Sequence, residues 1–232
     1  MVNNSQVKIC CVIPARGGSK GIVDKNLKLV GGTSLVERAA KAATSAGFDA
    51  VFVYSDSGEI RQAGERGGAT GVDRPANASG DSTTTEETIK RFLDDNDKDC
   101  VYRAVAVVQC TTPFLRGGDI RECLELFKSK KVDSVLTVCR CNRYLGYANA
   151  KNGLWTPMYP YRWLRQEYDP PFYFENGGVY LARRKWWEKG RRRGDRCAFV
   201  EMDSWRSLEI DDELELTVAE SIADQMDGDD VC

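Results

Sequence analysis

Ile9–Pro14 (ICCVIP) is an unbroken apolar run, the pattern of a strand buried on both faces of a sheet. Leu35, Ala39, Ala42 and Ala46 then recur at helical spacing, and Gly47 stands where a helix stop is expected. Ala50–Tyr54 (AVFVY) predicts a second strand and Glu59–Arg66 a short helix. Thr83 and Glu86 have capping-box spacing, which predicts a helix start within Ser82–Glu86. Val105–Gln109 and Ser134–Cys139 read as buried strands. Between them Asp119–Ser129 is amphipathic through Ile120, Cys123, Leu124 and Phe127. Gly178–Ala182 and Cys197–Glu201 predict two later strands, and Glu213–Met226 a closing helix, before a frayed end at Asp227–Cys232. Strands alternating with helices predict an α/β fold, a mostly parallel sheet with helices on both faces, in one domain over 1–232.

The pattern breaks between Arg140 and Phe174. This stretch holds Trp155, Trp163, Tyr159, Tyr161, Tyr168 and Tyr173 with several prolines and no helical period. A structureless loop that long is improbable in a compact domain. The stretch therefore predicts an inserted arm with β structure that buries its aromatics, with a second subunit as one candidate cover.

Composition narrows the chemistry. Hydrophobic residues make up 42% of 232, enough for a substantial core, and the formal net charge is −2. No global basic field points to a nucleic acid or an anionic membrane, so neither partner is expected. There is no histidine. That excludes a Ser-His-Asp hydrolase and a His-ligated zinc enzyme, and leaves carboxylates, Lys, Arg and a hard metal. The nine cysteines are odd in number and scattered, several in apolar runs (Cys10, Cys11, Cys110, Cys139), which predicts reduced, buried thiols. The opening MVNNSQVK is polar and predicts no signal peptide, and no apolar run approaches a membrane span. A soluble intracellular protein is expected.

In an open parallel sheet, ligands sit at the carboxyl ends of the strands. The segment after the first strand is Arg16-Gly17-Gly18-Ser19-Lys20-Gly21-Ile22-Val23-Asp24-Lys25-Asn26. Its glycines let backbone N–H groups turn around an anion, and Arg16, Lys20 and Lys25 supply charge. It matches neither a P-loop nor a Gly-x-Gly-x-x-Gly fingerprint. A phosphate cradle and a solvated turn both fit. Ser82–Thr85 reads as a helix cap, a donor site, or both. Tyr180 reads as a core aromatic or a pocket wall. Glu209 and Asp211 flank Ile210 at strand spacing, so their side chains are expected to share a face. A Mg²⁺ ion would relieve their repulsion, and an acidic approach to a helix N-terminus is the alternative. Arg183-Arg184-Lys185 and Arg191-Arg192-Arg193 read as a solvated basic face or as a nuclear import signal.

Taken in order, these segments resemble the CMP-sialic acid synthetases (acylneuraminate cytidylyltransferases). Ile13-Pro14-Ala15-Arg16-Gly17-Gly18-Ser19-Lys20-Gly21-Ile22 with Lys25-Asn26 looks like that family's first motif. Ser55-Asp56, then Arg74-Pro75 with Asp81-Ser82-Thr83, then Gln109-Cys110-Thr111-Thr112-Pro113 follow in the family's order. Glu175-Asn176-Gly177-Gly178-Val179-Tyr180 and Ile210-Asp211 with Ala219-Glu220 complete it, so the likeness spans about Lys8 to Gln225. The chain departs from the family at Val23-Asp24, where a proline and an apolar residue are frequent, at Glu209, where Asp is usual, and along the arm.

The resemblance implies a Rossmann-like nucleotidyltransferase fold, with residues 140–174 as a β-rich arm at a homodimer interface. It implies that Arg16, Lys20, Lys25 and Asn26 contact the phosphates of CTP, and that Arg74, Thr83 and Thr85 read cytosine. Gln109, Thr111 and Tyr180 would line a sugar site, and Glu209 and Asp211 would bind Mg²⁺. Arg16, Lys20 and Asp211 would be the catalytic residues. A basic group for the sugar carboxylate would come from Arg140, Arg143, Arg162 or Arg165. The implied reaction moves CMP from CTP to the anomeric hydroxyl of a sialic acid, in cytoplasm or, for an animal-like host, nucleus. Another nonulosonic acid or Kdo as substrate, or a non-catalytic nucleotide-binding module, are the alternatives.

Overall fold

The computed structural model describes residues 7–19, 21–75, 83–158, 161 and 169–226. Lys20, Asp81, Ser82, Tyr159, Arg162, Trp163, Arg165, Tyr168 and the end at Asp227–Cys232 lie outside them.

β1 (Ile9–Pro14) is the buried strand that its composition predicts. Its side chains alternate between two cores, Ile9, Cys11 and Ile13 facing one and Cys10 and Val12 the other. Burial on both faces is why no polar residue interrupts the run. The short pair β2 (Leu29–Val30) and β3 (Thr33–Ser34) leads into α1 (Leu35–Ala46), capped by the Ser34 side chain and ended by Gly47 at φ 92°. β4 (Ala50–Ser55) and α2 (Gly58–Arg66) follow, then the edge strand β5 (Thr70–Asp73), too short and too glycine-marked for its pattern to announce it.

α3 (Thr85–Asn96) starts one residue later than the spacing predicts. The capping box joins Thr84 to Glu87, not Thr83 to Glu86. A run of three threonines before two glutamates offers the box in two registers, and the burial of Ile89, Phe92 and Leu93 selects between them. β6 (Ala104–Val108), α4 (Gly117–Ser129) and β7 (Ser134–Arg140) match the sequence reading to within two residues.

In the arm, β8 (Gly146–Asn149) and β9 (Leu154–Pro157) form a separate antiparallel hairpin. β10 (Tyr173–Arg183) begins five residues earlier than its apolar core suggests, α5 (Arg184–Glu188) follows directly, and β11 (Cys197–Met202) and α6 (Glu213–Asp224) complete the chain.

The seven-stranded sheet runs β11-β7-β10-β6-β1-β4-β5. All pairings are parallel except those of β10, which runs antiparallel to both β6 and β7. α1, α2, α4 and α6 contribute to one core, and α3 and α5 to the other. From β1 the chain winds outward through β4 and β5, then returns to place β6 on the other side of β1. That reversal opens a crevice beyond the carboxyl ends of β1 and β6.

Eight cysteines are described and all are free thiols, five of them buried. Among the described residues no helix is long and apolar enough to cross a membrane.

Candidate functional site

The crevice holds a cavity of 180 Å³ lined by Pro14, Arg16, Asn26, Arg74, Thr83, Thr85, Thr88, Gln109, Cys110 and Thr111. Seven residues singled out from sequence, drawn from segments 16–26, 74–85 and 109–111, thus meet in one place.

The loop residues and Arg74 are held by nameable contacts. Ala15 continues β1 by donating its N–H to the carbonyl of Tyr54 at 3.1 Å. Gly17 donates its N–H to Asp56 Oδ1 at 2.8 Å, so Asp56, just beyond β4, fixes the turn of the glycine loop. Asn26 is buried and its amide donates to the Arg16 carbonyl at 2.9 Å, closing the loop on itself. Asp24 takes a left-handed φ of 52° to cap the single turn Lys25–Leu27, while Val23 stands 74% exposed. Val23-Asp24 therefore lies on the outer rim of the loop. Arg74, 5% exposed, donates from Nη2 to Thr88 Oγ1 at 3.0 Å and lies 5.9 Å from the Tyr54 ring centroid. Burial lowers its pKa, partly offset by Tyr54 and Asp56.

The acidic segment closes the other side. Ile210 is buried and donates its N–H to the Thr111 carbonyl at 2.8 Å. Lys25 Nζ donates to the Ile210 carbonyl at 2.9 Å and to Asp211 Oδ1 at 3.0 Å. A Cβ at Gly21 would collide with the carbonyl oxygen of Asp211, so only glycine lets the two loops touch there. Glu209 accepts from Thr111 Oγ1 at 3.4 Å and lies against Gly177, whose φ of 71° also excludes a side chain. Residues 208–211 are not a paired strand, contrary to the strand-spacing expectation. The two carboxylates nevertheless interact: burial first and the charge of Asp211 second raise the pKa of Glu209.

That surplus negative charge fits a cation. Mg²⁺ takes one or two protein carboxylates and completes its shell with phosphate oxygens and water. Among the described residues no group of three or more His, Cys, Asp or Glu is assembled into a cage, so such a site would depend on its substrate.

Tyr180 stands apart. Its ring is 4% exposed in the core shared with α3 and α5, and Arg192 stacks 4.8 Å above it. It follows the core alternative and does not line this cavity. Arg140 and Arg143 line a separate cavity of 720 Å³ with Cys139, Cys141, Asn142, Leu145, Phe174 and Ser204 beyond the end of β7.

A family profile described as cytidylyltransferase matches residues 10–152. The chain belongs to the cytidylyltransferase family. N-acylneuraminate cytidylyltransferase B of Danio rerio is 32% identical over 214 residues, covering 90% of this chain and 50% of that protein. The N-acylneuraminate cytidylyltransferase of Oncorhynchus mykiss is 32% identical over 219 residues, 91% of this chain and 49% of that protein. The one from Streptococcus agalactiae is 28% identical over 185 residues, 77% and 44% respectively. The chain thus spans about half the length of the curated relatives it matches.

Two solved structures share the fold. CMP:2-keto-3-deoxy-manno-octonic acid synthetase complexed with CTP superposes with a TM-score of 0.69 at 15% identity, over 94% of this chain and 100% of that one. The 4-diphosphocytidyl-2C-methyl-D-erythritol synthase of Anaerococcus prevotii superposes at 0.71 with 14% identity, over 97% and 100%.

Sequence reasoning assigned no role to several residues that carry the site. Thr88 orients Arg74 from the next helical turn. Arg38, buried on α1, donates to the carbonyls of Val30 and Pro113 at 3.0 Å each and so braces the Gln109–Pro113 loop. Asn176, 1% exposed, donates to Ser207 Oγ at 2.9 Å and anchors the acidic segment to β10. The available signals were a lone arginine on the alanine-rich α1 and the place of Asn176 in the Glu-Asn-Gly motif. The basic clusters are also not a simple solvated face. Arg184 is buried against Asp97 and Glu188, and Arg192 forms a two-point pair with Glu86.

Proposed function

We propose that this chain is an N-acylneuraminate cytidylyltransferase, transferring CMP from CTP to the anomeric hydroxyl of a sialic acid. The observation that carries this is the meeting of Arg16, Asn26, Arg74, Gln109 and Thr111 around one cavity, with the Lys25–Asp211 pair at its edge. The names of the relatives from fish and Streptococcus support the acceptor. The share of those proteins that the chain spans is about half, so the activity is ours to propose.

In the reaction a bond forms between the anomeric oxygen and the α-phosphorus of CTP. The bond from that phosphorus to the β-phosphate bridging oxygen breaks, pyrophosphate leaves, and the hydroxyl proton is lost to solvent. Arg16 and the loop N–H groups would hold the triphosphate, with Lys20 beside them, and Asn26 would keep the loop closed. Arg74, Thr83 and Thr85 would meet the edge of cytosine. Gln109 and Thr111 would face the sugar. Such a transfer depends on alignment and charge neutralisation more than on proton transfer, which suits a chain without histidine. Mg²⁺ held by Glu209 and Asp211 would neutralise phosphate charge and polarise the reacting oxygens.

With CTP, Mg²⁺ and N-acetylneuraminate, pyrophosphate release is expected to exceed that with UTP or ATP by about a hundredfold or more. Equal use of UTP would sink the base-reading assignment. A panel of other nonulosonic acids and Kdo in the same assay separates the acceptors, and release with none of them leaves only nucleotide binding.

The arm supports a homodimer. Tyr147, Leu154 and Trp155 of the hairpin are 67%, 64% and 53% exposed, Tyr147 and Leu154 on one face and Trp155 on the other, large apolar side chains that a second copy would cover. Light scattering on a sizing column is expected to give twice the chain mass of 25.9 kDa. A fully active monomer would contradict this.

A further inference from the structure

We propose that Arg192 is a positioning residue for the nucleotide pocket, fixing the first turn of α3 and with it Thr83 and Thr85. The inference rests on the nucleotide reading above. It accounts for part of a basic cluster that this reading leaves without a task.

Arg192 lies in the turn between α5 and β11, and its backbone is pinned on both sides. Gly190 and Arg191 donate their N–H groups to the carbonyls of Trp187 and Trp186, each at 2.9 Å. Gly194 donates to Ser134 Oγ at 3.0 Å and packs so closely against Asp133 and Trp186 that a Cβ would not fit. From this fixed base the guanidinium forks onto Glu86, Nε to Oε1 at 2.6 Å and Nη2 to Oε2 at 3.2 Å. The same group stacks on Tyr180, which is anchored in β10 beside β6.

Glu86 is the second residue of α3. The capping box uses Thr84 and Glu87, which leaves the Glu86 carboxylate for Arg192. Thr85 lines the cavity from the same turn, Thr83 from just before the Thr84 cap, and Thr88 from three residues further along the helix. Ile89, Phe92 and Leu93 anchor the rest of α3 in the core. The helix therefore folds without the ion pair, but its first turn loses a two-point tie to the turn between α5 and β11. A 16%-exposed carboxylate left without its cation would turn toward water and take the pocket threonines with it.

The test is calorimetric titration of CTP and of UTP, without sugar, into wild type, Arg192→Ala, Arg192→Lys, Glu86→Gln and Arg193→Ala. Arg192→Ala is expected to weaken CTP binding about tenfold and to narrow the CTP-to-UTP affinity ratio. Arg192→Lys is expected in between, since an ammonium keeps the charge but cannot fork. Glu86→Gln should resemble Arg192→Ala, and Arg193→Ala, an exposed neighbour, should match wild type. Wild-type CTP affinity in Arg192→Ala overturns the inference. If that variant does not fold, wild-type affinity in both Arg192→Lys and Glu86→Gln overturns it. Equal weakening by Arg193→Ala would overturn it too, by making bulk charge the cause. Wild type without affinity for CTP would instead overturn the nucleotide reading itself.

Discussion

Asp211→Ala is expected to lower the turnover number for pyrophosphate release about a thousandfold while leaving CTP affinity within a few-fold of wild type. The Asp211 side chain is 70% exposed and pairs with Lys25, which keeps its other bond to the Ile210 carbonyl. Nothing in the core leans on the carboxylate, so the loss would fall on chemistry and not on folding. Glu209, held against Gly177 and Thr111, alone would remain to meet a cation. Because burial and Asp211 raise the pKa of Glu209, Mg²⁺ affinity in wild type should fall as pH drops through that raised value. Stopped turnover with retained CTP binding, read by calorimetry and a pyrophosphate assay, is the expected pair of results. Unchanged turnover would remove Asp211 from the reaction.

Arg74→Ala is expected to cut kcat/KM for CTP about a hundredfold and to bring CTP and UTP within about tenfold of each other. Arg74 is 5% exposed, and in the proposed role at the cytosine edge a buried charged donor is costly to replace. The same substitution removes the donor to Thr88 Oγ1, which keeps its own bond to the Thr84 carbonyl, and opens space beside Tyr54, whose hydroxyl is buried with no hydrogen-bond partner among the described groups. A loss of about 1–3 kcal/mol in urea denaturation should accompany it. Arg74→Lys separates the two effects: it restores charge and bulk, so most stability should return while base discrimination does not. A lysine variant with full discrimination would show that only charge matters at this position.

The legible parts of the fold are those whose cause is local. Ile9–Pro14 reads as a doubly buried strand because every side chain is apolar; Val105–Gln109 reads as another buried strand and Ala50–Tyr54 as a strand, each within one residue of the structure's bounds. α1 is visible because its apolar positions keep a 3.6-residue period between Ser34 and Gly47. The edge strand β5 is not, since an edge needs no apolar run, and Thr70-Gly71-Val72-Asp73 carries no period. The antiparallel direction of β10 is also invisible, because strand direction follows from the connection and not from composition. The capping register of α3 needed the core to choose between two equivalent threonines.

At the site, the amino-acid sequence by itself determined which residue types are present and in what order. The glycine-rich basic loop, the lone Arg74, Gln109-Cys110-Thr111 and the Glu209–Asp211 pair are all there to be read, and their order carries the family. Only the tertiary structure decided which of them meet. Lys25 reaches Asp211 across 186 residues, and Arg192 reaches Glu86 across 106. It withdrew Tyr180 into the core, folded Arg184 and Arg192 into ion pairs, and enlisted Arg38, Thr88 and Asn176 as braces. The physical reason is range. Periodicity and capping depend on neighbours within a turn or two. A contact between distant segments depends on how the sheet is wound, and that is set by the burial of the whole chain at once.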